Sequence, residues 1–163
     1  MRNIIFLDID GVLNTDSTPD RICGYVGIES TKVALLKQIV DAMDAELVLA
    51  STWRSEWRNG NEPTEMGQYL CEKLAEYGLE LSEQTPKIVW HRRAQEISDY
   101  LYYQLGVDKI LILDDEDFMY DKWHLESYWY CTQDENYFHM EPGLTQESVD
   151  YIIANLDKLT WKG

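Results

Sequence analysis

"IIFLDIDGVLN", residues 4–14, drives four apolar residues in succession into the protein and ends them with two carboxylates, Asp8 and Asp10, and a glycine. A run without polar alternation is buried on both faces, the pattern of a strand inside a parallel sheet, and it predicts a strand over 3–8. Side chains two apart on an extended chain point the same way, so Asp8 and Asp10 would share one small volume at the strand's end. Gly11 then lets the backbone turn tightly and expose its amides there.

Two further apolar runs finish in reactive groups. "ELVLAS", residues 46–51, delivers Ser51 and Thr52, and "KILILDD", residues 109–115, delivers Asp114 and Asp115. Helices fit between them. "STKVALLKQIVDAM", residues 30–43, sets Val33, Leu36, Val40 and Met43 at helical spacing behind a Ser/Thr cap. Residues 64–77 carry Met66, Leu70, Leu74 and Tyr77 on one stripe, with Gly78 as the stop. Residues 93–105 carry Ile97, Leu101 and Leu105 and close at Gly106. "YWYCT", residues 128–132, reads as a further strand, and "LTQESVDYIIANLDKL", residues 144–159, as an amphipathic helix starting from Thr145. This alternation predicts an α/β, three-layer Rossmann-like sandwich around a mostly parallel sheet. Residues 14–29 and 55–63, where Gly, Pro, Asn and charge concentrate, are expected to be the least ordered.

The chain has 163 residues, which predicts one domain over 1–163. Hydrophobic residues make up 45% of it, so it is not a disordered tail, and no apolar run approaches the ~18 residues of a membrane helix. "MRNIIFLDID" lacks the small-residue cleavage site of a secretory leader, which makes the cytoplasm the expected location. Cys23, Cys71 and Cys131 are odd in number and far apart, the usage of reduced thiols. The net charge of −16 argues against long nucleic acid as a partner, because phosphates would meet a repelling field. "HRRAQ", residues 91–95, is the candidate local exception.

In an open parallel sheet, ligands bind outside the carboxyl ends of the strands, where these acids and hydroxyls would gather. Two ionised carboxylates ~4 Å apart repel by on the order of 4 kcal/mol at an effective dielectric near 20, so the group requires a cation. An all-oxygen donor set selects a hard ion, and few carboxylates with room for water and phosphate oxygens favour magnesium. A metal beside a carboxylate, strand-end hydroxyls and a basic side chain is the equipment of phosphoryl transfer.

"FLDIDGVLN" resembles the first motif of the haloacid dehalogenase superfamily, "LVLAST" its second and "ILILDD" its fourth, in the family's order. "STWRS" at 51–55, "TPKIVWHRRAQEISDYL" at 85–101 and "EPGLTQESVDYII" at 141–153 are similar to a small, largely capless subgroup that includes domains of RNA-repair proteins. The resemblance implies a magnesium-dependent phosphatase. Asp8 would be the nucleophile that forms an aspartyl phosphate, and Asp10 the acid for the leaving group and then the base for water. Ser51 would bond the phosphoryl oxygens, with Thr52 as the alternate. Asp114 and Asp115, with Asp8 and the Asp10 carbonyl, would hold magnesium. For the family's third motif, a Lys or Arg, Arg93 is favoured over Lys87 and Arg92. About 20 residues separate Asp10 from the helix at Ser30, too few for a large cap, so an open mouth and a bulky phosphorylated substrate are what the resemblance implies.

Other patterns are set aside. "DEDFMYDKWHLE", residues 115–126, spaces acids like a calcium loop but has Tyr120 where that loop needs glycine, and reads as a strand-end loop. His91, His124 and His139 are too dispersed to form a ligand set. The aromatics Trp123, Tyr128, Trp129, Tyr130, Tyr137 and Phe138 are read as core, with base stacking as the alternative. Trp53, Arg54, Trp57 and Arg58 are candidates for the pocket mouth. Two other functions fit the same residues: a phospho-acceptor signalling switch, and a non-catalytic acidic binding module.

Overall fold

The computed structural model describes residues 1–58, 62–88, 92–133 and 142–163. In chain order the elements are β1 (Arg2–Leu7), the hairpin strands β2 (Arg21–Ile22) and β3 (Tyr25–Val26), α1 (Ser30–Met43), β4 (Ala45–Leu49), α2 (Arg54–Trp57), α3 (Glu65–Ala75), β5 (Leu81–Gln84), α4 (Arg93–Tyr102), β6 (Val107–Asp114), β7 (Trp129–Cys131) and α5 (Gln146–Ala154). Short 3₁₀ turns cover Tyr120–Trp123, Glu126–Tyr128 and Leu156–Leu159.

The main sheet has the order β5-β4-β1-β6-β7, with its paired strands parallel. From β1 the chain steps outward through β4 to β5, then returns to the other side of β1 for β6 and β7. The direction of winding therefore reverses at β1, and the crevice between the carboxyl ends of β1 and β6 is the natural ligand position of such a sheet.

Both faces of the central strands are covered. Ile5 and Leu7 of β1, with Leu111 and Leu113 of β6, pack into one cluster with Val33 and Leu36 of α1, Leu70 of α3 and Val149 of α5. Ile4 and Phe6, with Ile110 and Ile112, pack on the opposite face with Ala94 and Ile97 of α4 and with Tyr120 and Tyr128. The residues Ile4–Leu7 are wholly buried, each side chain contributing roughly 1.5–3 kcal/mol by leaving water. The uninterrupted "IIFL" thus serves two cores, and the layered parallel sandwich expected from it is what forms.

Several local expectations need correction. The N-cap of α1 is Glu29, with no side-chain cap bond; the Ser30 hydroxyl instead donates to Glu76 Oε2 at 2.8 Å. Thr64 does cap α3, and Thr145 and Ser148 form a reciprocal capping box on α5, which ends at Ala154, short of the expected 159. α4 ends at Tyr102, and Leu105 is 87% exposed because it lies beyond the helix's apolar face. β5, "LSEQ", is half-polar because it is an edge strand, and its alternation is too short to register as a strand. Residues 14–29 hold the β2–β3 hairpin, fixed from beneath by the Tyr69 hydroxyl, which accepts from Ile28 N–H at 2.8 Å. Of 55–63, residues 55–57 lie in α2, and 59–61 fall outside the described residues. The aromatics are core only in part: Tyr128 is buried, Trp129 and Tyr130 are half-buried and Trp123 is exposed, while Tyr137 and Phe138 lie outside the described residues, as do His91 and His139.

All three cysteines are free thiols. No helix among the described residues is long and apolar enough to cross a membrane. Between β1 and α1 stands only the short hairpin, with no large cap domain.

Candidate active site

The carboxyl edge of the sheet is laced by backbone bonds. Asp8 N–H donates to Leu113 O at 3.0 Å, Ala50 N–H to Leu7 O at 2.9 Å, Thr85 N–H to Leu49 O at 3.0 Å and Thr132 N–H to Asp114 O at 3.1 Å. The residues that follow each strand therefore sit in fixed register. Asp8, Asp114 and Asp115 meet there, each offering a carboxylate oxygen within 4.8 Å of the others.

Arg93, the first residue of α4, reaches into this group. One guanidinium nitrogen lies 2.7 Å from Asp114 Oδ2 and 3.2 Å from Asp8 Oδ2. The guanidinium also lies over the Phe118 ring, its Cζ 4.3 Å from the ring centre. Burial opposes its charge, but Asp8 and Asp114 more than compensate and hold it above its ordinary pKa. Lys87 and Arg92, the other candidates for this role, are exposed on the rim and make no recorded bond to the acids.

The aspartates differ in their freedom. Asp114 is wholly buried and both its oxygens are engaged: Oδ2 accepts from Arg93 and from the Tyr120 hydroxyl at 2.9 Å, and Oδ1 from Glu116 N–H at 3.1 Å. Asp115 faces open space, and a β-carbon at Gly11 would collide with its carboxylate, which fixes glycine at that position beyond its positive φ of 79°. Asp10 stands apart from the triad. Its Oδ1 accepts from Asn14 Nδ2 at 3.0 Å and its Oδ2 from the Trp53 indole at 3.2 Å. Ser51 is fully buried, its hydroxyl accepting from Trp53 N–H at 3.2 Å, while Thr52 is exposed above it.

Two clefts open onto these residues and share Asp10, Thr52, Asp115 and Glu116. The smaller, about 330 Å³, is lined by Asp8, Arg93, Lys87 and Arg92. The larger, about 710 Å³, lies against the hairpin residues Tyr25 and Val26 and includes Asn14 and Trp53.

Some contacts had no sequence signal strong enough to read. Arg54 and Glu96, both buried, form an ion pair at 2.7 Å; Arg54 also donates to Ser51 O at 2.8 Å and Thr85 Oγ1 at 2.9 Å, while Glu96 Oε1 accepts from Ile88 N–H at 3.1 Å. Arg54 was legible only as a candidate for the mouth. Asn14 had a usable signal, an amide side chain four residues past Asp10 across a glycine turn, which places it to bond both Gly11 N–H and Asp10. The loop after Asp115 is a turn, with Asp117 Oδ1 accepting from Met119 N–H at 2.9 Å, as its missing glycine required.

An open parallel sheet with acids gathered on its first strand and on the strand beside it, at the point where winding reverses, is the layout of a haloacid dehalogenase-type domain, a phosphatase- or hydrolase-type fold. The chain belongs to the family described as the HAD domain in Swiss Army Knife RNA repair proteins, whose model matches residues 4–149. No curated protein and no solved structure matches the chain significantly.

The acids are suited to a hard cation. Three carboxylates face one guanidinium, so full ionisation leaves two surplus negative charges, the complement of a divalent ion with oxygen ligands. Burial, reinforced by Asp114, pushes the Asp115 carboxyl up to about 6. Burial and the Asp114 charge also hold Asp8 well above the ordinary carboxylate range, with Arg93 opposing them in part.

These shifts predict a pH dependence. Unfolded, both acids titrate near ~3.9, so between that pH and about 6 the folded protein binds more protons than the unfolded one. Stability in a chelator then falls as pH rises through this window. Asp115 accounts for about 1–2 kcal/mol of it once discounted for solvent screening. A divalent ion held by these acids would oppose the trend, and magnesium is expected to raise Tm more at pH 7.5 than at pH 5. Thermal melts across pH with chelator or magnesium check this, and a chelator curve flat from pH 4 to 7 would contradict it.

Proposed function

We propose that the protein is a magnesium-dependent phosphomonoesterase working through an aspartyl phosphate on Asp8. The observation that carries this reading is the meeting of Asp8, Asp114 and Asp115 around Arg93 at the sheet's switch point.

Asp8 and Asp115 would hold the ion with the Asp10 carbonyl, and Asp114, with both oxygens engaged, would orient Arg93 behind them. Bound there, magnesium would neutralise the surplus negative charge and draw charge from the phosphoryl oxygens. Arg93 works against the burial that raises the Asp8 pKa, favouring its carboxylate, and clamps the same oxygens. Thr52 from the exposed wall and Ser51 from beneath it are the neutral donors to the phosphoryl group.

Asp8 Oδ attacks phosphorus as the bond to the leaving oxygen breaks, and that oxygen takes its proton from Asp10. Asp10 then removes a proton from water, whose oxygen attacks phosphorus. The bond to Asp8 breaks, and inorganic phosphate leaves. Trp53 and Asn14 position the Asp10 carboxyl for both transfers.

The test is phosphate release from phenyl phosphate and from an alkyl phosphate, with magnesium. Asp10→Asn is expected to cost about 10²-fold on the alkyl ester and clearly less on an aryl ester with an acidic leaving group, which needs less protonation. Equal losses on both would remove Asp10 from the role of acid. A hydroxylamine-labile phosphoprotein that accumulates without turnover would instead make the protein a switch. The domain's family is named for RNA repair proteins, but the net charge of −16 supports compact phosphomonoesters over long nucleic acid as substrates.

A further inference from the structure

The two clefts differ in charge: acids line the larger with no Lys or Arg among its described lining residues, whereas in the smaller Arg54, Lys87, Arg92 and Arg93 offset five acids. Asp8 lines the smaller cleft and not the larger. Asp10 borders both, but the two side chains that hold its carboxyl, Asn14 and Trp53, line the larger one only. In an in-line displacement the nucleophile and the leaving group occupy opposite sides of phosphorus. With the nucleophile on one side and the acid that protonates the leaving oxygen aimed to the other, the leaving group departs into the larger cleft.

That cleft has a definite chemistry. Its own acids, Asp16 and Glu56, add to the shared Asp10, Asp115 and Glu116, and among the described residues no Lys or Arg lines it. Lys87 and Arg92 line only the smaller cleft. Tyr25, Val26, Trp53 and Met66 supply flat and apolar walls, and about 710 Å³ is room for a ring. We propose that this cleft, walled by the β2–β3 hairpin, is the leaving-group subsite, and that it selects phosphomonoesters of neutral or cationic ring-bearing alcohols against those whose leaving group is anionic. This rests on the phosphatase reading above.

The experiment compares three aryl phosphates whose phenols are closely matched in acidity and differ in a para side arm: tyramine O-phosphate (cationic), 4-ethylphenyl phosphate (neutral) and the phosphate of 3-(4-hydroxyphenyl)propionate (anionic). With magnesium at moderate salt, kcat/KM is expected to fall in that order, by at least tenfold from first to last. Asp16→Asn is expected to shrink this ratio several-fold, and Asp16→Lys to bring it to one or invert it. Asp16 is exposed, so neither change is expected to prevent folding. Equal turnover of all three esters, preference for the anionic one, or a ratio that Asp16 substitutions leave untouched would overturn the subsite while leaving the phosphatase standing. Absence of Asp8-dependent release from all three would overturn both.

Discussion

Asp8→Asn is expected to lower magnesium-dependent phosphate release by at least ~10³-fold, the scale at which enzymes lose a nucleophile, while the protein stays as stable as before in a chelator. The two halves of this expectation have different causes. Activity disappears because an amide oxygen does not form the acyl phosphate, and no other carboxylate in the cluster can replace it. Asp114 has both oxygens engaged by Arg93, Tyr120 and Glu116, and Asp115 forms no ion pair with the Arg93 guanidinium. Stability survives because Asp8 is buried among like charges that already push its pKa well up, so a neutral isostere removes repulsion as well as the Arg93 contact. A mutant that melts at the wild-type temperature yet releases no phosphate meets the expectation. Turnover within tenfold of wild type would take Asp8 out of the chemistry.

The parts of this architecture that were legible in the sequence share one property: a single residue type or run had a single physical use. "IIFL" without alternation had to be buried on both sides, and the acids closing it and "ILIL" had to emerge at one edge once those strands were neighbours. Arg93 could be favoured over Lys87 and Arg92 from its place at a helix start, and it is the one whose guanidinium lies against Asp8 and Asp114. What stayed hidden depends on pairing between distant segments. β5 is polar enough to pass for loop, and only the neighbouring β4 makes it a strand. Glu29 replaced the expected Ser/Thr cap because Ser30 had a tertiary partner in Glu76. The hairpin over 21–26 has no apolar run; Ile22 anchors it on the core, and Tyr69, far away in sequence, ties the chain just after it at Ile28.

The same distinction explains why Arg54 and Glu96, whose pairing no motif announced, carry the second large expected effect: Glu96→Ala is expected to destabilise the protein by about 3–5 kcal/mol. Arg54 is 8% and Glu96 2% exposed, so removing the acid leaves a guanidinium in the interior without its ionic partner. Its remaining bonds, to Ser51 O, Thr85 Oγ1 and Pro86 O, satisfy donors but not the charge. The pair also joins three segments of the site, the turn after β4, the chain after β5 and α4, which carries Arg93. Losing it should therefore loosen the placement of Arg93 and Thr52 together, raising KM for phosphate esters in whatever fraction remains folded. The double replacement Arg54→Met with Glu96→Leu is expected to cost less than Glu96→Ala alone, because it removes both desolvated charges rather than stranding one. Urea unfolding midpoints at constant m-value measure all of this. If Glu96→Ala shifts the unfolding free energy by less than about 1 kcal/mol, the value typical of an exposed pair, water reaches Arg54 and the brace between the strand ends is not what orders the smaller cleft.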